Sequence, residues 1–178
     1  MQQQTLDALG RINVEDYRKA KKIPVTVILN DIRSMNNVGS IFRSCDAFRI
    51  ERLILCGITP KPPHRDINKT ALGATESVDW EYKSDILPVI SDYRSKNYKI
   101  YALEQTDQSI FLNELQLDIN EKAVLILGNE VEGVSQSVLD NSDYALEIEQ
   151  AGTKHSLNVA VASGIAFYVF YNQMKHSL

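Results

Sequence analysis

Apolar residues cluster in short runs separated by polar, turn-forming stretches. After Pro24 comes Val25-Thr26-Val27-Ile28-Leu29, rich in β-branched residues and apolar on both faces. Similar runs recur at Leu53-Ile54-Leu55, Ile100-Tyr101-Ala102-Leu103 and Val124-Leu125-Ile126-Leu127, and a weaker one over 144–148 alternates apolar with acidic residues. Continuous β-branched runs of this length are the signature of strands buried on both faces of a sheet. Helical spacing lies between them, over 37–48, 84–97, 134–141 and 156–174, with a further amphipathic stretch at 7–22 carried by Leu6, Leu9 and Ile12. Strands alternating with helices predict an α/β fold, a mostly parallel sheet flanked by helices. The consecutive prolines of Pro60-Lys61-Pro62-Pro63-His64 mark a loop, because proline withholds the backbone donor. The apolar run over 159–171 is broken by Ser163 and Gly164. It falls short of the about 20 residues that a membrane helix needs, and predicts a buried helix.

Ligands of open parallel sheets bind in the loops at the carboxyl ends of the strands. Three exits carry suggestive chemistry: Asn30-Asp31-Ile32-Arg33-Ser34-Met35-Asn36-Asn37-Val38-Gly39-Ser40, Gly128-Asn129-Glu130-Val131-Glu132-Gly133, and Gln150-Ala151-Gly152-Thr153-Lys154-His155 leading into Ser156-Leu157-Asn158. A fourth, Glu104-Gln105-Thr106-Asp107, is polar but less distinctive. Each has a structural alternative: Asn37 and Gly39 as a turn before a helix, Ser156 as the cap of the last helix, Gly128 and Gly133 as turn glycines. No strand is followed by G-x-G-x-x-G, which disfavours a nucleotide-binding oxidoreductase, and neither a phosphate-binding P-loop nor a G-x-S-x-G elbow is present. His64, His155 and His176 are scattered, and Cys45 with Cys56 lacks matching histidines, so no metal site is expected.

The three polar exits resemble, in order and spacing, motifs of the SpoU (TrmH-type) branch of the SPOUT RNA methyltransferases, over residues 24–175. The matching segments are Asn37-Val38-Gly39-Ser40-Ile41-Phe42-Arg43-Ser44-Cys45-Asp46-Ala47-Phe48, Leu125-Ile126-Leu127-Gly128-Asn129-Glu130-Val131-Glu132-Gly133-Val134 and Ser156-Leu157-Asn158-Val159-Ala160-Val161-Ala162-Ser163-Gly164-Ile165. The resemblance implies a SPOUT domain over 24–178 with a C-terminal deep trefoil knot, preceded by a short basic helical extension over 1–23. It implies S-adenosylmethionine bound in a bent form, a homodimer, and methylation of a ribose 2′-oxygen in tRNA or rRNA. Carried over by position, Arg43 matches the catalytic arginine and Asn37 the asparagine that supports it, with Glu130, Ser156 and Asn158 as further active-site residues. Leu103, Gly128, Asn129, Ile148 and Leu157 match positions that hold the cofactor. One departure is Ile148-Glu149, where the family often has Ile-Pro; a proline would rigidify that loop.

The formal charge of −4 argues at first against a nucleic-acid partner, but it is unevenly distributed. Residues 1–70 carry 12 Lys and Arg against 7 Asp and Glu, whereas residues 71–178 carry 7 against 16. The basic part supplies candidate RNA-phosphate contacts at Arg11, Arg18, Lys19, Lys21, Lys22, Arg33 and Arg65, with Lys69 nearby. With no long additional segment, substrate selection is expected from the core, the basic extension and the partner subunit. The polar N-terminus lacks an apolar signal core, so a cytoplasmic location and no membrane association are expected. Two roles are open for Arg43: a cationic clamp that stabilises a developing alkoxide, or a general base with lowered proton affinity. A base-methylating SPOUT enzyme and a catalytically silent RNA-binding module are the competing functions.

Overall fold

The computed structural model describes residue 10, residues 12–118 and residues 120–178. Along the chain run α1 (Val14–Lys19), β1 (Ile23–Asn30), α2 (Met35–Ala47), β2 (Ile50–Cys56), α3 (Arg65–Ala71), α4 (Ala74–Ser77), β3 (Trp80–Lys83), α5 (Ile86–Ser95), β4 (Tyr98–Leu103), β5 (Ile110–Phe111), β6 (Lys122–Leu127), α6 (Gln136–Leu139), β7 (Tyr144–Glu147) and α7 (Val159–Met174), closed by a 3-10 turn at Lys175–Ser177. Among the described residues, seven strands form one sheet in the order β3-β2-β1-β6-β4-β7-β5, and every pairing is parallel. The expected parallel α/β architecture is therefore present.

The apolar runs conceal a period of two. Val27 pairs with Leu53 on one side and Leu125 on the other, and all three point into one core layer. Their neighbours Ile28, Ile54 and Ile126 are also in register and point into the opposite layer. The first layer is closed by α2, α3, α4 and α7 through Phe42, Ile67, Phe167 and Phe170. The second is closed by α5 and α6 through Val89, Ile90 and Val138. Because both faces are covered, each central strand needs apolar residues at every position.

Several boundaries differ from the sequence expectation, each for a local reason. β3 and β5 are edge strands; β3 alternates aromatic and charged residues, and β5 has only two residues, too short for any periodicity. The 134–141 stretch yields only the single turn of α6. Helix α3 arises in the stretch after the prolines, where the His64 ring accepts from the Asp66 amide at 3.2 Å. The last helix starts at Val159, three residues later than the expected 156. Its cap is Asn158, whose side chain accepts from the Ala160 amide at 2.9 Å, so Ser156 is not the cap and lies outside the helix. Of the 7–22 stretch the structure shows α1, capped by Asn13; Leu6 and Leu9 lie outside the described residues.

The parallel arrangement puts all strand exits at one edge of the sheet, and α1, which leads directly into β1, at the other. Tyr17 anchors α1 by donating to the Asp46 carbonyl at 3.0 Å, at the C-terminal end of α2. Helices α2 and α3 approach unusually closely at Gly39. A Cβ there would lie 2.1 Å from Thr70 Oγ1 and 2.3 Å from the Ile67 carbonyl oxygen.

That contact yields a stability prediction. Gly39→Ala must push α3 off α2 and should cost about 1–3 kcal/mol, in the range of overpacking substitutions. Thermal and denaturant unfolding would show it; an unchanged midpoint would mean that the helices do not meet as closely as described.

Candidate functional site

A cavity of about 640 Å³ opens at the carboxyl edge of the sheet, between the exits of β4, β6 and β7 and the start of α7. Its size falls within the about 300–1,000 Å³ of small-molecule sites. Leu103, Gly128, Asn129, Ile148 and Leu157 all line it, as do Glu130, Ser156 and Asn158. Five residues expected to hold a cofactor and three expected at the reaction centre thus share one cavity. The set suits a nucleoside with a charged tail: apolar walls at Leu103, Ile148, Leu157 and Val159 for a ring, and backbone groups at Gly128 and Asn129 for its polar edges.

The three motif segments are joined by one hydrogen-bonded chain. Glu130 accepts from the Arg33 amide at 2.8 Å and the Ser34 amide at 3.0 Å, so its carboxylate sits over the N-terminus of α2, where free amides and the helix dipole favour negative charge. The same carboxylate accepts from the Asn37 side-chain amide at 2.9 Å, across 93 residues of sequence. An ionised carboxylate only accepts, so Asn37 must turn its NH2 group toward Glu130 and its carbonyl away. That carbonyl accepts from the Asn158 side-chain amide at 3.1 Å, across 121 residues. Asn158 is left with its own carbonyl for the cap of α7. Every amide orientation in the chain therefore follows from the charge on Glu130.

The loop that carries Glu130 is held as tightly. Asn129 accepts from the Val131 and Glu132 amides at 2.8 and 3.1 Å and donates to the Asp31 carbonyl at 2.7 Å. Asn129 and Gly133 also exchange backbone hydrogen bonds at 3.1 and 2.9 Å. Burial pushes the Glu130 carboxyl up, but the hydrogen bonds from Arg33, Ser34, Asn37 and its own backbone outweigh that and hold it below its ordinary value of 4.5.

Other expected residues are placed differently. Asn37 stands at the first turn of α2, beside the cavity rather than in its lining. Arg43 is exposed further along α2 and is not a lining residue. Ser156 is an exposed lining residue. Among the basic residues, Arg33 follows β1 at the carboxyl edge, and Arg65 is exposed at the start of α3, paired with Asp66 at 3.3 Å. Arg18 donates to the Glu76 carbonyl, and Lys22 donates to the Tyr17 carbonyl and lies 4.1 Å from that residue's ring centre, both at the opposite edge. Lys19 pairs with Glu15 at 2.7 Å, Lys21 is exposed, and Arg11 lies outside the described residues. The sequence reading gave no role to Glu104, Glu147 or His155, which also line the cavity. The signal available for the first was its place at a strand exit.

Among the described residues no cluster of three or more His, Cys, Asp or Glu is placed to hold a metal, and no helix is long and apolar enough to cross a membrane. Comparison with known proteins gives a consistent picture. The family described as SpoU rRNA Methylase matches residues 24–168. A tRNA/rRNA methyltransferase of Borreliella burgdorferi, itself uncharacterized, is 28% identical over 163 residues, covering 92% of this chain and 70% of that one. The crystal structure of the A. aeolicus TrmH/SpoU tRNA modifying enzyme superposes with a TM-score of 0.81 at 23% identity, over 92% of this chain and 83% of the other. An AdoMet-bound rRNA methyltransferase from Sinorhizobium meliloti superposes with a TM-score of 0.78 at 25% identity; the match covers 91% of this chain but only 60% of that one.

The depressed Glu130 carboxyl makes the network pH-sensitive in a defined direction. Its stabilising contribution is complete above the ordinary value of 4.5 and is lost as pH falls through the lower value of the folded state. Comparing acid unfolding of the wild type with Glu130→Gln should show a shallower pH dependence below 4.5 in the variant. Superimposable profiles would contradict the charged network.

Proposed function

The chain belongs to the SpoU rRNA Methylase family, and from that premise we propose that it methylates a ribose 2′-oxygen in tRNA or rRNA with S-adenosylmethionine as donor. What carries this proposal is the Asn158–Asn37–Glu130 chain, which draws the three motif segments together beside a cavity of nucleoside size. When bound, the cofactor supplies an electrophilic methyl group on a sulfonium. Leu103, Gly128, Asn129, Ile148 and Leu157, which line the cavity, would hold it through apolar side chains and strand-exit backbone groups.

The protein's own contribution is then orientation and charge. Glu130 locks Asn37 and Asn158 in single orientations, so these amides meet the RNA without reorganising, and the Ser156 hydroxyl is a further polar group in the cavity lining. Guanidinium groups stay cationic, so Arg43 acts as a charged donor toward the oxygen on which negative charge develops while the hydroxyl proton passes to water. Arg33, Arg65 and Lys69 take RNA phosphates near the strand exits. Lys19 and Lys21, with Arg18 and Lys22, form a second basic surface at the far edge. Phosphate contacts of this kind give affinity without sequence information.

Helix α7 supports a homodimer. It is apolar on nearly all sides, and Val161, Ile165 and Tyr168 are 53%, 39% and 58% exposed at spacings of four and three residues. That stripe begins beside the cavity, since Leu157, Val159 and Ala162 line it. Arg43 lies outside the cavity of its own chain, and a second subunit seated on α7 completes the site. The connection over 148–158 carries the chain from β7, near one edge of the sheet, back over β4 and β6 to α7, which packs on α2 and β1. A path of that kind fits the deep trefoil knot. The enzyme works in the cytoplasm, on cellular RNA.

Two variants and the identity of the product test these roles. Arg43→Ala should lower methyl transfer by at least about 100-fold, the scale of removing one transition-state donor, while calorimetric affinity for S-adenosylmethionine stays within about twofold, well under 1 kcal/mol. Mass spectrometry of the product nucleosides should show a 2′-O-methyl group; a methylated base, or wild-type turnover by Arg43→Ala, would refute the assignment. Ile165→Glu should turn a dimer into a monomer by light scattering, because it places a charge in an apolar interface.

A further inference from the structure

The polar exit of β4 touches both walls of the cavity. Glu104 accepts from the Val134 amide at 2.8 Å through one carboxylate oxygen and from the Gln105 amide at 2.9 Å through the other. Its own amide donates to the Leu146 carbonyl at 3.0 Å. Gly133 sits against this carboxylate with a φ of +68°, and a Cβ there would lie 2.2 Å from the Glu104 oxygen. The next residue, with Ser109, reaches the other wall. Gln105 donates to Glu147 at 3.1 Å and the Ser109 hydroxyl donates to the second oxygen of the same carboxylate at 2.8 Å. Glu147 ends β7 and, with Ile148, lines the cavity; Gly133 and Val134 line it from the β6 side.

We propose that the β4 exit is a clasp that sets the separation of the two cavity walls, with Glu104 as a positioning residue for the cofactor. The chemistry explains the residue types. A carboxylate offers two oxygens that only accept, which matches two backbone donors converging from different segments. Glutamine in its place keeps an acceptor for only one of the two amides, and alanine keeps none, leaving the part-buried Val134 amide without a partner. Gly133 completes the arrangement, since any side chain there would displace the carboxylate. Wall spacing governs how well a nucleoside is gripped, whereas the reacting oxygen is handled by residues on α2 and by Asn158. The clasp should therefore act on cofactor affinity and leave the chemical step alone.

This inference rests on the cofactor assignment above, and the test separates the two. With full-length protein, S-adenosylmethionine affinity is measured by calorimetry, KM and kcat on RNA by methyl transfer, and exchange of the Val134 amide by NMR or mass spectrometry. Glu104→Ala should raise Kd and KM for S-adenosylmethionine about tenfold, the effect of leaving the part-buried Val134 amide unpaired. It should also accelerate exchange at Val134 while kcat at saturating cofactor stays within about threefold, since little transition-state stabilisation is lost. Gln105→Ala, an exposed position that releases Glu147 alone, should raise Kd in the same direction and serves if Glu104→Ala does not fold. Wild-type affinity and unchanged Val134 exchange in both variants would overturn the clasp and leave the cofactor assignment standing. A fall in kcat with KM unchanged would also overturn it, because Glu104 would then act on the reacting groups. A wild-type chain with no measurable affinity for S-adenosylmethionine would overturn both.

Discussion

The site depends on the ionised Glu130 carboxylate seated on the free amides that precede and begin α2. Three donors converge on it from Arg33, Ser34 and Asn37, and a fourth link passes through Asn37 to Asn158. An acceptor-only group at the origin makes the whole chain directional. The first turn of α2, the loop after β6 and the cap of α7 are thereby fixed to one another. The segments meet in space only because the parallel sheet places the exits of β1 and β6 side by side and returns α7 across them.

Rigidity at this edge comes from the core beneath it. Six consecutive residues of β1, from Val25 to Asn30, and five of β6, from Ala123 to Leu127, are buried, and the two strands pair in register. A buried parallel ladder of this kind opens only with the global unfolding of the domain. The loops above it are then free to carry polar groups whose stability comes from one another. The tip residue Val131 is 77% exposed, yet its loop is closed by Asn129 from within and by Glu104 from below.

The distribution of charge takes on a different meaning once the edges of the sheet are distinguished. The excess of Lys and Arg in the first 70 residues divides between two places. Arg33, Arg43 and Arg65 belong to the loop and helices that follow the strand exits, whereas Arg18 and Lys22 fasten α1 to the opposite edge through backbone carbonyls. A basic run in sequence thus serves partly to attach a helix, and net charge alone does not distinguish this from an RNA-facing surface.

The strands and most of the helices were legible from the chain itself, because a sheet covered on both faces demands apolar residues at every central position, α2 and α5 have repeating apolar spacing, and α7 is one long apolar run. The residues that line the cavity were legible too, as polar loops at strand exits bearing recognisable motifs. Shorter elements were not: β5 has two residues and α6 four, too few for a period, and α3 depends on a histidine ring acting as a cap. Ser156 and Asn158 are equally good cap formers on paper, and only the contact with Asn37 decides between them. The role of Glu104 was likewise invisible, since its partner Val134 is 30 residues away and offers only a backbone amide, which leaves no mark in the sequence. Residue types and local periodicity determined the elements and the chemistry available at their ends. Which polar group meets which was decided by the sheet order, because hydrogen bonds between distant segments depend on distances that the tertiary fold alone sets.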